Sequence, residues 1–226
     1  MRLAVLFSGG KDSTYAAWLM AQMGHEISTL VSIIPSDPHS WVFHTPNLQF
    51  LSQMAQAMDL PILTEQSSGK EESDLEALRS ALSRTDAEGV VMGAIASDYQ
   101  WDRINDVCQE FGLKTFGPLW RKDQEMLMED MVASGIKAIL VRTSAEGMHA
   151  AWLGRELDAA ALEELRQLAR RTGMNISGEG GEYETLVLDS PLHRRRLVLR
   201  DFSVEISRDE GKLMIHDLGL EAKNGT

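Results

Sequence analysis

Cysteine is nearly absent from this chain: of its 226 residues only Cys108 carries a thiol. A single thiol excludes a disulfide framework within the chain and fits a reducing compartment. Long apolar runs are absent as well. Nowhere do roughly 18 apolar residues follow one another, and the first apolar stretch, Leu3 to Phe7, meets a glycine pair almost at once. Neither a membrane span nor a signal peptide is predicted, and the expected location is cytoplasmic. Basic residues are scarce, with 22 Lys plus Arg against 34 Asp plus Glu, and the formal charge of -12 would repel a phosphate backbone. Nucleic acid is therefore not an expected partner, whereas a basic patch on a protein partner would suit this surface. The one basic run, Arg194-Arg195-Arg196 with Arg200 beyond it, flanks the strand-like Leu197-Val198-Leu199 and reads as a solvated strand face. The six histidines show no paired spacing of a zinc site, and no internal repeat or low-complexity tract occurs.

What is present is the composition of an ordinary globular chain, 43% hydrophobic, long enough to bury a substantial core. Up to about residue 120 strand and helix patterns alternate: Leu3 to Phe7, Ile27 to Ile34, Ile62 to Thr64 and Val90 to Ile95 as strands, with helices over Ser13 to Met23, Asn47 to Met58 and Ser73 to Leu82 between them. Such alternation predicts an α/β fold, a doubly wound, mostly parallel sheet covered on both faces. Ser73-Asp74-Leu75-Glu76 reads as a capping box, Gly24 and Gly112 as helix ends, and Ile104, Val107, Cys108 and Phe111 as one apolar helix face. After Pro118 the character changes to amphipathic helices over Gln124 to Ser134 and Ala159 to Arg171, a strand over Lys137 to Arg142, and an antiparallel pair over Val198 to Ile206 and Lys212 to Ile215. This predicts a smaller α+β domain, with the division falling at 1–118 and 119–226 and a frayed tail from Glu221.

The first chemical signal is Ser8-Gly9-Gly10-Lys11-Asp12-Ser13, set between the first strand and the first helix. Two glycines let the backbone approach a ligand closely, a helix start offers unpaired N–H groups to an anion, and Lys11 adds a point charge. Ser8 and Ser13 can donate to phosphate oxygens, while Asp12 can hold a magnesium ion or accept N–H bonds from the loop. The spacing is not that of a Walker loop, because Asp12 follows Gly10-Lys11, and it is not a dinucleotide fingerprint. It resembles the PP-loop of the N-type ATP pyrophosphatases. In a parallel sheet ligands sit at the carboxyl ends of strands, so this loop and Ser97-Asp98-Tyr99-Gln100 are expected to face one site.

The second signal is Gly178-Glu179-Gly180-Gly181-Glu182-Tyr183-Glu184-Thr185, three carboxylates around a glycine pair just before a strand. Three acids so close repel one another, and a purely structural loop gains nothing obvious from that. Together with Gly93 to Gln100, Pro118-Leu119-Trp120 and Leu153-Gly154-Arg155, these motifs resemble the diphthine–ammonia ligase family over nearly the whole chain. The resemblance implies ATP-dependent amidation of diphthine, a modified histidine on elongation factor 2, through an acyl adenylate. The N-terminal part would bind ATP and the C-terminal part substrate. It implies Lys11, the loop N–H groups and a magnesium ion at the phosphates, with Asp12 or Asp98 as metal ligand and Asp98 among the catalytic carboxylates. One or more of Glu179, Glu182 and Glu184 would bind ammonium and take its proton, with Gly180 and Gly181 shaping the substrate site. Diphthine carries a trimethylammonium group, for which Tyr183, with Trp41 or Tyr99, is a candidate aromatic wall.

Cys108 lies at neither chain terminus, so no glutamine-cleaving cysteine is in place and free ammonium is the expected donor. The absence of paired cysteines also argues against the sulfur-transferring relatives of the PP-loop group. The loop from Pro35 to Pro46 carries Trp41, Phe43, His44 and Thr45, an apolar content that reads as a substrate lid, with His44 a candidate substrate contact. Met126, Leu127, Met131 and Val132 read as core or as a homodimer contact. Two other readings stand beside the ligase: an amidoligase acting on another carboxylate, and a nucleotide-binding module without turnover. Replacing Lys11 or Asp12 by Ala is expected to abolish ATP binding, measured by calorimetric titration of the purified variants.

Overall fold

A computed structural model of the chain describes residues 1–36, 47–208 and 210–223. These fall into two units, Met1–Ser8 with Asp12–Trp120, and Gly9–Lys11 with Arg121–Thr226.

The first unit is built on five parallel strands, β1 (Arg2–Leu6), β2 (Glu26–Pro35), β3 (Ile62–Ser67), β4 (Gly89–Val91) and β5 (Lys114–Phe116), in the order β3-β2-β1-β4-β5. Leu3, Ala4 and Val5 are wholly buried, as a central strand covered on both faces requires. Burying each of the larger of these side chains contributes about 1.5–3 kcal/mol. The strands are joined by α1 (Lys11–Gln22), α2 (Leu51–Met58), α3 (Glu71–Leu82) and α4 (Asp98–Glu110). Strand order runs outward from β1 in both directions, so right-handed crossovers put α1 and α2 on one face and α3 and α4 on the other. The second face is filled by Leu6, Ile33, Leu78, Val90, Ile104 and Val107, with Cys108 fully buried among them. Burial also pushes the Cys108 thiol up from its ordinary value, as befits a small core residue. The fold class predicted from alternation is the one observed.

Several local expectations are corrected. The capping box at Ser73 is not a helix start: α3 begins at Glu71, after Gly69 in the left-handed region at φ 81°. Ser73 Oγ instead accepts the Ser68 N–H at 2.9 Å, and Asp74 turns inward, fully buried, to accept from Ser67 Oγ at 2.5 Å. The cap motif is spent on closing the β3–α3 loop. β5 was not predicted, because three residues between glycines carry no periodicity, and Phe111 is 41% exposed rather than core.

The second unit contains α5 (Gln124–Ala133), α6 (Ala159–Thr172) and four antiparallel strands, β6 (Lys137–Thr143), β7 (Tyr183–Asp189), β8 (Arg195–Ile206) and β9 (Gly211–Ala222), in the order β7-β6-β9-β8. Asp123 and Asp158 cap the two helices by accepting the N–H groups of Met126 and Ala161, and Gly173 closes α6 at φ 77°. Leu127, Met128 and Met131 are core, while Met126 is exposed. The β8–β9 pair is longer than predicted, and the expected tail is strand through Ala222, with Glu221 held by Arg196 at 2.7 Å. Among the described residues no helix is long and apolar enough to cross a membrane.

His193 provides a pH handle on this unit. It is buried against Ser190, whose Oγ lies 2.6 Å from Nδ1, and burial lowers its pKa to about 4 despite the opposing field of Asp189; Lys223 adds to the lowering. Between pH 6.5 and 4 the unfolded chain binds a proton that the folded chain does not, so stability falls as pH falls through that window. The loss is on the order of 3 kcal/mol by pH 4. Chemical denaturation at pH 7 and pH 4.5 should show a smaller acid-induced loss for His193→Gln than for the parent chain.

Candidate active site

In the first unit the loop after β1 is tied to the helix that follows it. Ser8 N–H donates to Ser13 Oγ at 3.3 Å, and the two hydroxyl oxygens lie 3.1 Å apart. Asp12 lies in the first turn of α1, half-buried. The chain after β4 presses on the same turn: a Cβ on Gly93 would lie 2.7 Å from Ser13 N and 2.8 Å from the Asp12 carbonyl carbon. Both neighbours are backbone, so only glycine fits. The loops after β1 and β4 flank the point where the crossovers reverse, which is where such sheets bind ligands.

In the second unit Gly9, at φ 75°, accepts the Val187 N–H at 2.9 Å through its carbonyl. Lys11 N–H donates to Thr185 Oγ1 at 3.1 Å, which starts the helix two residues earlier than predicted by meeting its first open donor. The Lys11 side chain is 3% exposed; Nζ donates to the Ser177 carbonyl at 2.6 Å and lies 5.4 Å from the centre of the Tyr183 ring. Tyr183 is itself 3% exposed, and its hydroxyl donates to the Ile176 carbonyl at 2.6 Å. Its ring supports Lys11. Gly178, at φ 75°, permits this packing, since a Cβ there would lie 2.9 Å from the Tyr183 carbonyl oxygen.

The acidic segment is fastened from β6. Ser144 N–H and Ala145 N–H both donate to the Glu182 carbonyl, at 2.9 and 3.2 Å, and Ser144 Oγ donates to the Gly181 carbonyl at 2.6 Å. Gly181 takes φ 83°, and Gly180 lies under the Glu182 carboxylate, where a Cβ would be 2.7 Å from Oε1. Glu182 Oε1 accepts the Asn175 N–H at 2.8 Å, while its Oε2 is buried with no hydrogen-bond partner among the described residues. Glu184 Oε1 accepts from Arg142 Nη1 at 2.7 Å, and Arg142 Nε also bonds Glu210. Burial alone would lower the Arg142 guanidinium, but the hydrogen bonds to Glu210 and Glu184 hold it above its ordinary value. Glu179 is half-buried on the same turn. A cavity of about 540 Å3, lined by Ser144, Glu146, His149, Ser207 and Glu210 among others, opens beside this segment within the second unit.

Asp98 is the first residue of α4, and Ser97 caps that helix by accepting the Gln100 N–H. Tyr99 is engaged rather than open: its hydroxyl donates to Glu71 Oε2 at 2.5 Å and the Arg103 guanidinium lies 4.5 Å from its ring centre. Burial first, then the bond to Glu71, push its phenol pKa up, while the bonds from Tyr99 and Arg103 hold Glu71 below the usual carboxylate range. His44 and Trp41 lie outside the described residues, as does most of the expected lid. Among the described residues no cluster of three His, Cys, Asp or Glu side chains could hold a metal ion. Arg142 and Gly93 were not found from sequence as site residues; Arg142 shows there only as a charged residue ending an apolar strand.

Residues 1–115 match the family model of the diphthamide synthase N-terminal domain, and residues 123–219 that of the diphthamide synthase C-terminal domain. A diphthine–ammonia ligase of Danio rerio is 35% identical over 232 residues, covering 93% of this chain and 91% of that protein. That of Homo sapiens is 32% identical over 229 residues, covering 91% and 85%. That of Schizosaccharomyces pombe is 37% identical over 224 residues, covering 90% of this chain and 37% of that much longer protein. A solved structure described as a predicted subunit of tRNA methyltransferase from Methanocaldococcus jannaschii gives a TM-score of 0.46 at 16% identity, over 84% of this chain and 98% of that one.

Gly93→Ala is expected to displace the Asp12–Ser13 backbone and weaken ATP binding at least about tenfold, the scale on which small misplacements act. Calorimetric titration with ATP would measure the loss, and an unchanged circular dichroism spectrum would show that the fold persists.

Proposed function

The chain belongs to the diphthamide synthase family, and on that premise we propose that it amidates the carboxylate of diphthine on elongation factor 2 with free ammonium, consuming ATP. The observation that carries the reading is the meeting of its two motifs: Lys11 is bonded to Thr185 and Ser177 and lies over Tyr183, so the phosphate lysine and the acidic segment adjoin.

In the first step a carboxylate oxygen of diphthine attacks the α-phosphorus, the bond to the bridging oxygen of the β-phosphate breaks, and pyrophosphate leaves. The N–H groups that follow Lys11 in the first turn of α1, and the Lys11 ammonium once released, would stabilise the charge that builds on the leaving group. Lys11 Nζ is held by the Ser177 carbonyl, so reaching phosphate requires it to leave that oxygen. Magnesium, when bound, would neutralise part of the same charge; Asp12 in the first turn of α1 is suited to hold it, since magnesium usually takes one or two carboxylates and completes its shell with phosphate oxygens and water. In the second step ammonia attacks the acyl carbon of the adenylate and the C–O bond to AMP breaks. The protons lost by ammonium pass to a carboxylate among Glu179, Glu182 and Glu184 and onward to solvent.

The test combines the protein with ATP, magnesium, ammonium chloride and diphthine-bearing elongation factor 2. AMP should form together with conversion of the carboxylate to a carboxamide, read from the mass of the modified peptide. Glu182→Gln should bind ATP normally and lose amidation. AMP formation without that mass change would point to another acceptor, and no AMP at all would favour a binding module.

A further inference from the structure

The glutamates of the acidic segment stand in different surroundings, and the difference originates in one side chain outside it. Arg142, near the end of β6, is in register with Glu184 of β7 on one side and Lys212 of β9 on the other. Its Nη1 holds Glu184 at 2.7 Å, its Nε holds Glu210, and Glu210 also takes Lys212 Nζ at 2.9 Å. Two carboxylates and two cations form a row that is neutral overall, running from the acidic segment to the wall of the cavity beside it. Glu182 is outside this row. One of its oxygens takes a backbone N–H and no ion pair reaches it among the described residues; its Oε2 is buried without a donor, a position that Glu184 Oε2 shares, so the two differ in the cation that Glu184 holds.

These surroundings imply unequal chemistry. A carboxylate gripped by a guanidinium has its charge stabilised and is a poor proton acceptor. A carboxylate oxygen withdrawn from water with no donor is under-satisfied, and a cation that brings an N–H relieves that cost most where the charge is not already balanced, as at Glu182. We propose that Arg142 is the positioning residue of the acidic segment: by holding Glu184 as a fixed anion it reserves Glu182 as the carboxylate that binds ammonium and accepts its proton. In that step an N–H bond of ammonium breaks, its electron pair stays on nitrogen, and the proton joins Glu182 Oε2. The inference rests on the amidation reading above and adds to it the division of roles.

The experiment compares Glu182→Gln, Glu184→Gln, Arg142→Lys, Arg142→Met and the double variant Arg142→Met with Glu184→Gln, using ATP affinity, kcat, the KM for ammonium and the melting temperature. Loss of a general base should lower amidation by Glu182→Gln about 100-fold or more. Glu184→Gln should lose about tenfold, mainly in the KM for ammonium, and Arg142→Met should raise that KM about tenfold while ATP affinity holds, with Arg142→Lys recovering part. The double variant should melt above Arg142→Met, because it no longer leaves a half-buried carboxylate without its cation. The inference is overturned if Glu184→Gln loses as much as Glu182→Gln, or if Arg142→Met changes ATP affinity and the ammonium KM in step. Should Arg142→Met fail to fold, Arg142→Lys carries the same KM split. If the unmodified protein makes no ammonium-dependent AMP, the amidation reading itself falls, an outcome distinct from active protein with equal glutamate losses.

Discussion

The hydrogen bond from the Lys11 backbone N–H to the Thr185 hydroxyl is the constraint around which the site is organised. A helix begins with donors that have no partner within it, and an edge strand carries polar backbone groups with no neighbour. β7 is an edge strand of its sheet, and Gly9–Lys11 meets it twice, through Thr185 Oγ1 and through the Val187 N–H on the Gly9 carbonyl. Each contact satisfies a group that would otherwise be costly to bury. The short reach of these bonds is what places the Lys11 ammonium over the Tyr183 ring and against the Ser177 carbonyl.

Glycine makes this proximity possible at a few positions for two different reasons. Gly9 and Gly178 take positive φ, a conformation that side-chain-bearing residues resist, whereas Gly93 and Gly180 are needed for space alone. The acidic segment is thus a rigid turn rather than a solvated acidic loop, because its carbonyls are fastened by Ser144 and Ala145 and its carboxylates by Asn175 and Arg142. Fastening of this kind holds neighbouring carboxylates in fixed and unequal surroundings.

Much of the fold was legible beforehand. The apolar run Leu3 to Phe7, the glycine loop and the buried helix after it announce a parallel sheet, since a strand covered on both faces has no polar alternation to keep. The acids and glycines of 178–185 were equally visible as an unusual segment before a strand. One difference is local: Ser73, a cap by residue type, closes a loop instead. A side chain's type does not say which neighbour it will meet.

The sequence by itself determined the alternation, the glycine loop after the first strand and the acidic segment, because those depend on residue type and on spacings of a few residues. Only the tertiary structure decided that Thr185 meets the first N–H of the first helix, that Gly93 presses on the Asp12–Ser13 turn, and that Arg142 pairs with Glu184. Those contacts join residues 174, about 80 and 42 positions apart, and are set by strand order and register, which no local pattern encodes.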